Sequence, residues 1–178
     1  MPHPTPIESF AASHPRAALF LQTPKPAPAS FATEAQFGVN AFRFTNQAGT
    51  SRTGRYWIVP VAGSAHLAPA DAAARPARFL FDELVERLSR GPVEFRLLVQ
   101  LAADGDPVHD GSLTWPADRP QVELGTLSAT RAVTDSVAAE RQLIFDPIRL
   151  VDGIELSEDP LPLVRSRVYA VSYARRNP

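Results

Sequence analysis

Phe37-Gly-Val-Asn-Ala-Phe-Arg-Phe-Thr-Asn46 and Arg55-Tyr-Trp-Ile-Val-Pro-Val61, with Gln47-Ala-Gly-Thr-Ser-Arg-Thr-Gly54 between them, decide the fold. In an extended chain Val39 and Ala41 share one face, while Asn40, Phe42 and Phe44 share the other. Both faces carry apolar residues, which predicts a strand covered on both sides. The middle stretch is turn-forming, and Arg55 to Val61 predicts a second strand. Together they predict a hairpin with a long loop.

Working outward, Phe79, Leu80, Leu84, Val85 and Leu88 recur at helical spacing against Asp82, Glu83, Glu86, Arg87 and Arg90, so residues 76–90 predict a helix. Gly91-Pro92 stops it. Val93 to Leu101 predicts a third strand, and the alternation in residues 121–130 predicts a fourth. Residues 108–120 form an irregular passage around Trp115. Asp159-Pro160 opens a terminal helix that runs to about Arg176, with Asp as its N-cap. The order of elements predicts α+β architecture around an antiparallel sheet. Residues 1–30 contain Pro2, Pro4, Pro6, Pro15, Pro24, Pro26 and Pro28. They predict an extended arm, with room for a short helix between Ile7 and Leu21 interrupted near Pro15. Residues 31–178 form the body.

The composition excludes several classes. Of 178 residues, 18 are Lys or Arg and 19 Asp or Glu, for a net charge of −1. That balance argues against a nucleic-acid binder or a polybasic membrane-surface protein. Without cysteine there is no disulfide, thiolate catalysis or zinc–thiolate site. No apolar run is long enough for a transmembrane helix. The start lacks a basic n-region and an apolar h-region, so no signal peptide is expected and the cytoplasm is favoured. The 18 prolines, about twice the usual share, argue against a helical bundle.

Chemistry concentrates in Leu161-Pro-Leu-Val-Arg-Ser-Arg-Val-Tyr-Ala-Val-Ser-Tyr-Ala-Arg-Arg176. Helical spacing places Arg165, Tyr169 and Arg176 on one narrow stripe, with Ser172 between them. A guanidinium one turn from a phenol favours phenolate, a hard anionic ligand suited to ferric iron. The same spacing equally describes a surface helix with scattered arginines and one packed tyrosine. Asp104-Gly-Asp-Pro-Val-His-Asp110 fails the Ca²⁺-loop spacing and reads as a solvated turn. Gly63-Ser-Ala-His66 does not match a hydrolase nucleophile turn.

Residues 37–46, with Gly49 and Arg55-Tyr56, resemble a barrel strand of haem catalases, and most of all of the smaller catalase-related peroxidases. Three more stretches resemble the same family in the same order: Trp115-Pro-Ala-Asp-Arg-Pro-Gln-Val-Glu-Leu-Gly-Thr-Leu127, Leu150-Val-Asp-Gly-Ile-Glu-Leu-Ser-Glu-Asp-Pro160, and the terminal helix. The resemblance implies a catalase-type antiparallel β-barrel with a C-terminal haem-proximal helix, and haem as cofactor. It implies that Tyr169 is the axial ligand to the haem iron. It implies that Arg165 hydrogen-bonds the phenolate and that Arg176 meets a propionate.

The family's distal histidine and asparagine precede the barrel, and no stretch of residues 1–178 matches that segment. His14 matches the linker after it, and His3, His66 and His109 match no distal position. The chain therefore resembles the C-terminal portion of such an enzyme, and no catalytic base is assigned. Two functions remain open. One is a peroxidase that reduces hydrogen or organic peroxides with an unidentified reductant. The other is a truncated or non-enzymatic remnant that binds haem weakly or completes a partner's fold. A half-covered haem pocket would expose apolar surface, so self-association into a homo-oligomer is expected.

Overall fold

The computed structural model describes residues 3–177. The N-terminal region is helical. Helix α1 spans Pro6–Ser13 and α2 spans Pro15–Gln22. Thr5 caps α1 in a capping box: its Oγ1 accepts from the Glu8 amide, and the Glu8 carboxylate accepts from the Thr5 amide. Proline stands at the start of each helix, where its missing N–H costs nothing. Residues 6–22 are thus helical rather than extended, in the stretch where the sequence leaves room for an interrupted helix, because prolines at helix starts are compatible with helix. Pro15 breaks the segment into two, as the composition indicated.

The remaining elements follow in order. They are β1 (Ala27–Pro28), a 3₁₀ turn (Phe31–Thr33), β2 (Gln36–Phe37), β3 (Phe42–Thr45), β4 (Ser51–Pro60), β5 (His66–Leu67), α3 (Pro69–Ala73), α4 (Phe79–Arg90), β6 (Val93–Leu101), β7 (Gln121–Ala129), α5 (Ser136–Arg141), β8 (Ile154–Leu156) and α6 (Leu161–Arg176). β1 pairs with β5. The main sheet has six antiparallel strands in the order β7-β6-β4-β3-β8, with β2 also on β4. This is the α+β architecture around an antiparallel sheet that the sequence predicts.

The sheet is open. β7 pairs only with β6, and β8 only with β3, so its two ends do not meet. The expected β-barrel is not closed within the described residues. Closure needs strands enough, at a matched tilt and stagger, to join the two edges. Val122, Leu124 and Leu127 on β7 are nearly half exposed as a result.

The predicted strand over 37–46 is split. The Gly38 amide still donates to the Tyr56 carbonyl at 2.7 Å, but the chain then leaves the ladder until Phe42. The interruption holds Asn40 and Ala41, both buried. α4 begins at Phe79 rather than residue 76, and α5 and β8 have no counterpart in the predicted elements.

Gly54 lies where β4 is pressed between its neighbours. A Cβ there would meet Val99 Cγ1 at 2.3 Å and the Gln100 carbonyl oxygen at 2.8 Å. The second contact is backbone and cannot swing away. Gly54→Ala is expected to lower stability by about 1–3 kcal/mol, read as a shift in the urea midpoint at constant slope; an unchanged midpoint would mean that β4 and β6 are less tightly apposed. No helix among the described residues is long and apolar enough to cross a membrane.

Candidate functional site

The pairing of β3 with β8 builds the site. Phe42 lies opposite Leu156 and Phe44 opposite Ile154. Continued past the end of β3, this register sets Asn40 beside residues 158–159, where the chain turns into α6. Two residues 119 apart in sequence therefore meet: Asn40 Nδ2 donates to Asp159 Oδ2 at 2.7 Å. Both are buried, at 6% and 4% exposure.

From this buried pair a chain of hydrogen bonds runs onto α6. Asn40 Oδ1 accepts from Arg165 Nη1 at 2.9 Å. The other arm of the same guanidinium, Nη2, donates to the Tyr169 hydroxyl at 2.8 Å. Arg165 and Tyr169 are one helical turn apart, so their side chains meet on one face. The spacing in the sequence predicts this contact, and the structure brings the two groups together. Asp159 does more than hold Asn40. Its Oδ1 accepts from the Leu161 amide at 2.9 Å. The N-cap of α6 is Pro160, not Asp159 as the sequence predicts, because the Pro160 carbonyl takes the first helical hydrogen bond, from the Val164 amide.

Arg176 lies elsewhere. It is exposed near the C-terminal end of α6, and its Nη2 donates to the Leu143 carbonyl at 2.9 Å. A groove of about 440 Å³ runs beside it, lined by Arg167, Val168, Val171, Ser172, Arg175 and Arg176. Arg165 and Tyr169 are not among its walls. Val164, Val168 and Val171 are each more than half exposed, so α6 turns an apolar strip and a cationic end outward.

A buried cation stands within electrostatic reach of Asp159. Arg55, on β4, is 5% exposed. Its Nη1 donates to the Leu113 carbonyl, and its Nη2 to those of Pro107 and Asp110. Its guanidinium carbon lies 4.2 Å from the Trp115 ring centroid, a stacked cation–π contact. The Trp115 indole N–H donates to the Pro107 carbonyl at 2.9 Å. Burial pulls the Arg55 guanidinium below its ordinary value, and the negative charges of Asp159, Asp106 and Asp110 oppose that shift. Ser157 ties the same loop to the start of α6, donating to the Val108 carbonyl while accepting from the Asp159 amide.

The loop is also fastened to the N-terminal helices. Arg16 on α2 donates to Asp110 and Ser112. The Ser112 hydroxyl and amide, with Arg16, hold the Asp110 carboxyl down at about 2, below its ordinary 3.8. A carboxyl depressed by folding stabilises the fold above its ordinary value, and that contribution fades as pH falls through the folded value. The clasp is therefore expected to hold at pH 3.8 and release only as pH approaches about 2. The Asp110 carboxyl carbon in NMR should titrate there; an ordinary midpoint would mean that the clasp does not form.

His3, His14, His66 and His109 are all exposed. His3 contacts Glu8, His14 the Phe10 carbonyl, and His66 Glu34. No metal-holding cluster of three His, Cys, Asp or Glu exists among the described residues. Sequence reasoning missed Asn40 as a site residue and gave Asp159 only a capping role. The available signal was an amide in the apolar run Val39-Asn-Ala-Phe42.

A family model described as Catalase matches residues 9–177. The chain belongs to the catalase family. It is 38% identical over 178 residues to a catalase-related peroxidase of Synechococcus elongatus, covering 98% of this chain and 52% of that relative. It is 36% identical to a catalase-related peroxidase of Mycolicibacterium paratuberculosis, covering 97% of this chain and 56% of that one. The chain thus spans about half the length of these two relatives. The fold matches a solved bacterial catalase with a TM-score of 0.80 at 21% identity, over 94% of this chain and 35% of that one. A fungal catalase matches with a TM-score of 0.74 at 20% identity, over 84% and 32%.

Proposed function

We propose that this catalase-family chain supplies the proximal side of a haem site and serves peroxide reduction. The observation that carries the proposal is the hydrogen bond from Arg165 to the Tyr169 hydroxyl, with Arg165 itself anchored on buried Asn40. A guanidinium that donates to a phenol oxygen stabilises negative charge there, and a phenolate is a hard ligand for ferric iron. Tyr169 would hold the iron, and Arg165 would hold charge on the ligand oxygen. Arg176, seven residues or about 10 Å farther along the helix, would meet a propionate. By helical spacing Arg165, Tyr169 and Arg176 share one face of α6, which suits a group that carries a metal at its centre and anionic substituents at its edge. The donor set therefore fits the group. Haem when bound supplies the redox chemistry. The chain's own residues would bind and orient it, with Arg165 donating to the ligand oxygen. A base to move the peroxide proton has no candidate among the four histidines, all of them exposed.

A second reading is a haem-binding or fold-completing piece without turnover. The two unpaired sheet edges and the half-exposed apolar residues of β7 favour it. Haemin titration of the purified chain, followed by absorption, tests the first step. Saturation at one equivalent supports the haem reading, and lack of saturation overturns it. Peroxide consumption by the loaded chain then separates enzyme from remnant.

A further inference from the structure

We infer that the inner face of the open sheet is a ligand site for a medium-chain aliphatic carboxylate, with the alkyl chain in an apolar groove and the carboxylate on Arg52. The inference does not rest on the haem reading above.

Sheet register builds the groove. Residues directly opposite on neighbouring strands share a face, as do residues two apart on one strand. Arg52 lies opposite Phe44, Gly54 opposite Leu101, Tyr56 opposite Val99, and Val99 opposite Val122. Ile154 lies opposite Phe44 on its other side. One face of β8, β3, β4, β6 and β7 is therefore apolar across the sheet. Phe44, Val99, Leu101, Val122, Leu124 and Ile154 converge there on a groove of about 460 Å³. That volume lies within the range of small-ligand sites, about 300–1,000 Å³. β7 is the outer strand, so Val122 and Leu124 are left 46% and 49% exposed. Farther along the same face, Phe44 and Phe42 pack on Tyr56 with ring centroids 5.3 and 5.7 Å away. This aromatic cluster forms the inner end.

The mouth carries the polar groups. Arg52 is exposed there and belongs to none of the ion pairs among the described residues. Its neighbours at the rim are already engaged. The Asn46 side-chain oxygen accepts from the Ala48 and Thr50 amides, and the Thr45 hydroxyl is hydrogen-bonded to that of Ser51. Arg52 is thus the cation available to a ligand. Its planar fork of N–H donors matches a carboxylate. Register with Phe44 sets its stem along the apolar wall, so a ligand with its chain in the groove brings its head to the guanidinium. Asp152 lines the same mouth from the turn before β8 and works against an anion. The two charges give opposite predictions for their removal.

The experiment titrates the full chain, without haemin, with sodium dodecanoate below its micelle concentration and at low ionic strength. Calorimetry gives the affinity, and NMR of ¹³C-labelled valine, leucine and isoleucine methyls gives the place. Saturation at one equivalent is expected, with the largest shifts at Val99, Leu101, Val122, Leu124 and Ile154. Affinity should fall about fourfold for each methylene removed on going to decanoate and octanoate. Arg52→Gln should weaken dodecanoate about fivefold and leave decanol binding unchanged. Asp152→Asn should tighten dodecanoate about twofold. Both positions are exposed, so the fold is kept. Val122→Trp should fill the groove from its open side and weaken dodecanoate at least about tenfold. The inference is overturned if dodecanoate does not saturate, if dodecyltrimethylammonium binds as tightly, or if Arg52→Gln leaves the affinity unchanged. It is equally overturned if the groove is covered by a second copy of the chain, seen as methyl shifts that depend on protein concentration with no dodecanoate binding.

Discussion

Replacing Tyr169 with phenylalanine is expected to remove the saturable ferric–phenolate spectrum that the proposed haem site predicts for the wild-type chain with haemin. The substitution deletes one oxygen and keeps the ring, so packing on α6 changes little. The deleted atom is the one that Arg165 addresses at 2.8 Å. Loss of a group that merely supports a metal ligand typically costs 10–100-fold in metal affinity, and loss of the ligand itself should cost more than about 100-fold. Thermal unfolding of the metal-free variant should stay close to wild type, because a half-buried hydroxyl with one hydrogen bond contributes only about 1 kcal/mol. Binding retained with an unchanged spectrum would assign the iron to another residue.

Arg55→Leu is expected to have the largest effect on stability. Arg55 is buried and serves three backbone carbonyls of residues 107–113 while stacking on Trp115. Leucine fills part of the volume and donates nothing. The Leu113 carbonyl is left without a donor, at about 1–3 kcal/mol, while those of Pro107 and Asp110 keep the Trp115 indole and the Leu113 amide. The lost stacking on Trp115 and the buried volume left unfilled add to the loss. An overall loss of about 3–5 kcal/mol is expected, seen as a lower urea midpoint. In a Trp57→Phe background, Trp115 emission should move to the red as its ring meets water. Arg55→Lys should recover little, since an ammonium cannot reproduce the fork that spans separate carbonyls. A loss below about 1 kcal/mol would show that the loop is held mainly by Ser157, Arg16 and the Trp115 indole.

The secondary structure was legible where periodicity was strong. The strands at residues 93–101 and 121–129 and the helices ending at Arg90 and Arg176 follow directly from apolar spacing. The N-terminal helices were obscured because proline was read as a breaker, although Pro6 and Pro15 stand at first helical positions where it is favoured. Barrel closure was inherited from the resemblance, and no residue of this chain carries it. Closure is a property of how strand edges meet, and the outer edges of β7 and β8 meet no strand among the described residues.

The site was half legible. Arg165 and Tyr169 are four apart on a helix, so local geometry alone brings them together. Asn40 and Asp159 are joined only by the β3–β8 register, and register between distant strands is not written in either segment. The burial of Asn40 left a trace nonetheless, as a polar residue amid Val39, Ala41 and Phe42. Arg55 left a weaker one, since arginine at the start of a strand reads as exposed until three carbonyls close on it.

Tyr169 is proposed to place a phenolate on ferric haem iron. Resonance Raman spectroscopy of the haemin-loaded chain, excited in the phenolate-to-iron charge-transfer region, tests it most directly. Ring-deuterated tyrosine should shift the enhanced phenolate modes, and Tyr169→Phe should abolish them while Tyr56→Phe and Tyr173→Phe preserve them. Enhanced modes that persist in Tyr169→Phe, or a spectrum insensitive to tyrosine deuteration, would contradict it.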